Sequence, residues 1–122
     1  MVPIRQTFPE YDFRVAETEW REMPIADATP CVSVSRLRVE DGGAIWILVR
    51  FPAGWSRPQA GSYSVEEEFW LLEGDLELSG VRHSAGAHVL VAADEIRTGS
   101  QSVGGALAVA RFGGRAEWSR SR

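Results

Sequence analysis

Three consecutive glutamates, Glu66-Glu67-Glu68, stand at the head of an apolar stretch, Phe69-Trp70-Leu71-Leu72. A carboxylate carried into a greasy interior is the group in this chain best suited to moving protons. Side chains alternate along a strand, so Glu67 shares a face with Phe69 and Leu71, while Glu66, Glu68 and Trp70 share the other. One carboxylate enters the interior and two stay in solvent or in rim ion pairs. Other chemistry-bearing residues are sparse. Cys31 lies in the alternating run Cys31-Val32-Ser33-Val34-Ser35-Arg36-Leu37, which predicts a small buried hydrophobe rather than a reactive thiol. His83 and His88 flank Gly86, the first beside a turn and the second ahead of Val89-Leu90-Val91. Nothing in their spacing argues for a metal site built from His88, Glu67 and a further carboxylate.

Short strands must position these groups. Period-two or continuous apolar segments occupy residues 12–16, 31–38, 44–52, 63–72, 75–79, 87–92 and 105–112, separated by Gly, Pro, Asp or Ser. Asp41-Gly42-Gly43 and Val103-Gly104-Gly105 read as turns that need positive φ, and Glu73-Gly74-Asp75 as a tight turn between two strands. The one window with helical character, 16–23, lacks an apolar stripe. Many short strands with Gly-rich turns specify a sandwich or barrel.

Composition agrees. The 122 residues make one domain, 44% hydrophobic and 25% charged. Residues 1–30 read as an N-terminal extension or added strand, and 115–122 as a polar Arg/Ser tail frayed into solvent. A net charge of −4, with 13 scattered arginines, offers no basic field for nucleic acid. No apolar run reaches the length of a membrane span, and residues 1–13 lack the apolar core of a signal peptide, so a cytoplasmic location is expected.

The segment Glu67-Glu68-Phe69-Trp70-Leu71-Leu72-Glu73-Gly74, with Gly54 ahead of it, resembles the first motif of the cupins, G-x5-H-x-H-x3-4-E-x6-G. Glu67 and Gly74 match the glutamate and closing glycine. The histidines are missing: a three-residue gap puts Gly61 and Tyr63 in their places, a four-residue gap Ala60 and Ser62. In the second motif, G-x5-P-x-G-x2-H-x3-N, Gly86 matches, while Ala92, Asp94, Arg97 and Gln101 replace the remaining residues. The run Leu48-Val49-Arg50-Phe51-Pro52-Ala53-Gly54 and the texture after Glu67 are similar to small single-domain ChrR-like cupins.

That resemblance implies an all-β, antiparallel double-stranded jelly-roll barrel. In cupins three histidines and the glutamate hold a metal ion; here only the carboxylate remains, and Arg97 brings a permanent charge that cannot ligate. No cofactor and no metal are therefore expected. The implied catalytic residues are Glu67 as acid or base, with Arg97 and Tyr63 stabilising negative charge. Phe69 and Gln101 join them as ligand contacts. Trp46 and Arg50 share a face of one strand and are candidate ligand contacts too, although the sequence leaves open whether that face is the cavity. The implied function is metal-independent isomerase, lyase or cyclase chemistry on an apolar or aromatic, anionic small molecule. The alternatives are a non-catalytic ligand-binding or regulatory barrel and a metal-dependent dioxygenase-like one. A homodimer is expected, with Trp20 and Trp70 as apolar contacts between protomers.

Overall fold

The computed structural model describes residues 19–121, and every element in it is a strand, turn or loop. The expected strand at 12–16 and the first part of the window 16–23 lie outside the described residues. The rest of that window is extended: Arg21–Met23 forms β1. It is followed by β2 (Val32–Val39), β3 (Ile45–Phe51), β4 (Trp55–Arg57), β5 (Gly61–Tyr63) and β6 (Glu67–Leu78). Then come β7 (Val81–Ser84), β8 (His88–Val91), β9 (Ser100–Ser102), β10 (Ala106–Phe112) and β11 (Trp118–Arg120). All pairings are antiparallel. The result is the expected all-β jelly-roll barrel.

One strand joins the two layers. The first half of β6 lies between β10 and β8, and its second half pairs with β7 and β9. The predicted Glu73-Gly74-Asp75 turn is instead a kink inside this continuous twelve-residue strand. Leu72 is the extra residue, because Leu107 faces Glu73 while Ala108 faces Leu71. A bulge bends its strand and sharpens the local twist, which lets β6 pass from one layer to the other. Gly74 is required at the kink: its φ is 76°, and a Cβ there would stand 2.1 Å from the Gly105 carbonyl oxygen.

Strand parity sorts the core. Val32, Val49, Phe69, Leu71, Leu76 and the alanines 106, 108 and 110 fill the interior. The opposite face of the same sheet is also apolar and buried, with Trp46, Leu48, Trp70, Leu107 and Val109 packed under Trp20, Leu37 and Leu72. Trp70 stacks on Trp46 at 5.6 Å and on His88 at 4.7 Å. At 2% exposure it is an intramolecular packing residue, which corrects its assignment to an interface between protomers. Trp20 is partly buried against the same cluster, with the Arg50 guanidinium over its ring. Cys31 is exposed rather than buried, since β2 begins one residue later with the fully buried Val32.

The C-terminal segment is the largest departure. Residues 118–120, expected in a frayed tail, form β11 and pair with β5. The Trp118 indole donates to Asp27 at 2.9 Å, and Arg120 clasps the same carboxylate. Composition hid this strap because its partner lies some ninety residues earlier.

Candidate small-molecule site

A cavity of about 420 Å³ occupies the barrel interior. Its wall is largely aliphatic and aromatic, and the room exists because the middle of β10 turns the alanines 108 and 110 inward, ahead of Phe112, with the bulkier Leu107 and Val109 facing the other way. Loop residues Pro24, Ile25 and Ala26, and Trp118 of the strap, complete the wall.

Arg36, Arg57, Tyr63, Glu67, Arg97 and Ser100 bring polar side chains to this wall. Glu67, at the start of β6, is 9% exposed, and Arg97, from the loop ahead of β9, is 6% exposed. Arg97 Nη1 donates to Glu67 Oε1 at 2.5 Å. Arg97 is fixed by its own backbone, which exchanges two hydrogen bonds with Gly61. Its guanidinium lies over the Tyr63 ring, 4.8 Å from the centroid, while Nε and Nη2 have no hydrogen-bond partner. Burial of a charge is tolerated when it is paired and hydrogen-bonded, and the carboxylate supplies that partner.

Arg57 is the residue that sequence reasoning missed. It is 3% exposed, donates from Nε to the Ala26 carbonyl at 3.1 Å and from Nη2 to the Tyr63 hydroxyl at 2.8 Å, and stacks 3.9 Å from the Trp118 ring centroid. A signal was present: in Trp55-Ser56-Arg57 the first and third residues share a face, and Trp55 is plainly a core residue. Trp55 too lines the cavity, with its indole N–H unpartnered.

Glu67, Arg97, Tyr63 and Phe69 thus meet at one cavity. The other three candidates lie elsewhere. Trp46 faces the opposite side of the sheet and donates to Glu40. Arg50 is exposed, between Trp20 and Glu73. Gln101 is exposed on β9 and bonds Glu77 at 3.3 Å. Shared parity correctly grouped Trp46 with Arg50, but β3 is apolar on both faces, so alternation could not say which face was interior.

The ligand set of a metal-binding cupin does not fit here. The three-residue gap is the one the structure supports, because Gly61 pairs with Arg97 and the Tyr63 ring lies under the Arg97 guanidinium. Gly61 offers no side chain, and a Cβ there would stand 2.3 Å from the Trp118 ring, so the indole fills the space a longer residue would need. Arg97 is a cation bonded to the one carboxylate. His88 points away from Glu67, bonding Glu68 at 2.8 Å on the opposite face, and His83 packs edge-on to Phe69. Among the described residues no three His, Cys, Asp or Glu side chains cluster as a cation would require.

No family model matches the chain, and no curated protein matches it. Solved structures do, and they establish the fold as that of the cupins. The polyketide cyclase RemF from Streptomyces resistomycificus is similar with a TM-score of 0.69 at 14% identity, over 93% of this chain and 86% of its own. An acetylacetone dioxygenase from Acinetobacter johnsonii gives 0.70 at 13% identity, over 86% and 74%. A chain of the Rhodobacter sphaeroides complex of SigE with the anti-sigma ChrR gives 0.66 at 19% identity, over 82% of this chain and 52% of that one.

Proposed function

We propose that this protein is a small-molecule cupin that works without a metal, performing proton-transfer chemistry of the isomerase, lyase or cyclase type on an apolar, anionic ligand held inside the barrel. The observation that carries the reading is the Glu67–Arg97 pair at the wall of a largely apolar cavity, at the positions where a metal-binding cupin keeps its ligands. Glu67 is the proton carrier. Arg97, with two donors unspent, and Tyr63, whose hydroxyl accepts from Arg57 and keeps its own proton, stabilise negative charge as it develops on the ligand. The aliphatic wall excludes water, which strengthens each of these interactions.

The test is solvent deuterium exchange into a carbon acid, 2-tetralone, followed by NMR in buffer containing a chelator. Wild-type protein accelerates the exchange and Glu67→Gln abolishes the acceleration while the fold persists. Metal analysis of protein purified without an affinity tag accompanies it, and a stoichiometric transition metal would overturn the reading. A second reading, a binding module without catalysis, draws on the closeness of the 2.5 Å pair, which can be purely structural. Tight binding without exchange would select it.

A further inference from the structure

Two buried guanidiniums, Arg57 and Arg97, share the cavity wall with a single buried carboxylate, Glu67. The interior of a protein of net charge −4 thus holds one positive charge in excess, and Arg36 adds a further, exposed one among the lining residues. The excess is not shared equally. Arg97 is neutralised by Glu67, whereas Arg57 has no carboxylate within ion-pair distance among the described residues. Asp27, whose carboxylate feels the Arg57 charge, makes its hydrogen bonds to Arg120 and Trp118 instead. Arg57 spends Nε on the Ala26 carbonyl, Nη2 on Tyr63 and one flat face on the Trp118 indole. These contacts fix the plane of its guanidinium and leave Nη1 without a hydrogen bond or ion pair among the described residues.

We infer that Arg57, rather than the Glu67–Arg97 pair, is the anchor for the ligand's anionic group, and that the ligand class is a monocarboxylate with a flat apolar body. This rests on the proposed function and deepens it. One free guanidinium nitrogen and one excess buried charge match a monoanion; a phosphate dianion would need a larger set of donors. The body lies against aliphatic and aromatic walls, Val49, Phe51 and Phe69 among them. The unpartnered Trp55 indole N–H and the spare Arg97 donors match an additional oxygen acceptor on that body. With the anion held at Arg57, the reactive part of the ligand is left for Glu67, so recognition and proton transfer fall to different residues. Arg57 is a binding and specificity residue.

The experiment titrates three probes into the full chain by calorimetry: 2-naphthoate, the neutral 2-naphthylmethanol and the dianionic 2-naphthyl phosphate. Wild-type protein binds naphthoate ahead of both others. Arg57→Met weakens naphthoate by about tenfold or more, as expected for a lost charged hydrogen bond. It leaves naphthylmethanol unchanged, and Arg57→Lys recovers part of the loss. Glu67→Leu/Arg97→Met, which removes the pair without stranding either charge, does not remove the preference for the carboxylate. Independently of any variant, the Arg57 guanidinium resonances shift as naphthoate is added to wild-type protein. Binding of naphthylmethanol with no carboxylate preference, a preference that survives Arg57→Met, or one abolished by Glu67→Leu/Arg97→Met would overturn the assignment and leave the cavity reading intact. Failure of all three probes to bind would overturn the cavity reading and this inference with it.

Discussion

Glu67 and Arg97 are each the other's answer to burial. An isolated charge in this interior would cost several kcal/mol, whereas replacing a whole buried pair by apolar groups is often neutral or better. That asymmetry makes the pair testable. Arg97→Met alone strands the carboxylate, and denaturant unfolding should show a loss of about 3–5 kcal/mol. Adding Glu67→Leu should restore most of it. A single replacement that costs nothing would show that the carboxylate reaches water and is no proton carrier in a dry cavity. The pair was legible because motif spacing fixes both positions and parity turns Glu67 inward with Phe69. Arg57 was not, since it belongs to no motif and its partners, Ala26, Tyr63 and Trp118, come from three separate stretches of chain. The same limit misplaced Trp46 and Arg50: alternation tells which residues share a face, and only packing tells which face is inside. Gln101 was carried by motif position alone, and its side chain turns outward to Glu77.

At the scale of elements, the strap formed by β11 is the part that chemistry can loosen. The hydrogen bond from Arg120, and after it that from the Trp118 indole, hold the Asp27 carboxyl below its ordinary value of 3.8. A carboxylate whose pKa is depressed by folding stabilises the folded form fully above that ordinary value, and the contribution disappears as pH falls through the lower, folded-state value. The strap should therefore stay docked at neutral pH and loosen only in acid, below about 4. Amide hydrogen exchange across the β5–β11 pairing and the Trp118 indole N–H resonance report this directly. Asp27→Asn should produce the loosened pattern at neutral pH. Unchanged protection in that variant would assign the docking of the strap to the Trp118–Arg57–Tyr63 stack alone. The central strands were legible from apolar periodicity, and the hairpin glycines from their turn chemistry. The strap was not, because three residues of Trp-Ser-Arg carry no periodicity and their hold on Asp27 is entirely tertiary.

For the molecule as a whole, what separates a filled barrel from one with a chamber is the small size of the β10 side chains at the cavity wall, Ala108 and Ala110. Ala106, Ala108 and Ala110 present methyl groups to the interior while their neighbours on β10 complete the opposite apolar layer, so the strand is held firmly from one side and leaves space on the other. Ala110 sits between Ile47 and Phe69 in the register and lines the cavity. Ala110→Leu places three more carbons where a ligand would lie. In a packed core such an insertion costs about 1–3 kcal/mol. Here there is space to take it, and each buried methylene contributes about 0.8 kcal/mol in favour of folding. The variant should therefore unfold at the same temperature as wild type or higher, and lose affinity for 2-naphthoate and 2-naphthylmethanol alike. Equal loss of the two separates filling of the chamber from removal of the anion anchor, which affects the carboxylate alone. A stable Ala110→Leu protein that still binds both probes would place their site outside the barrel, and with it any role for Glu67 in their chemistry.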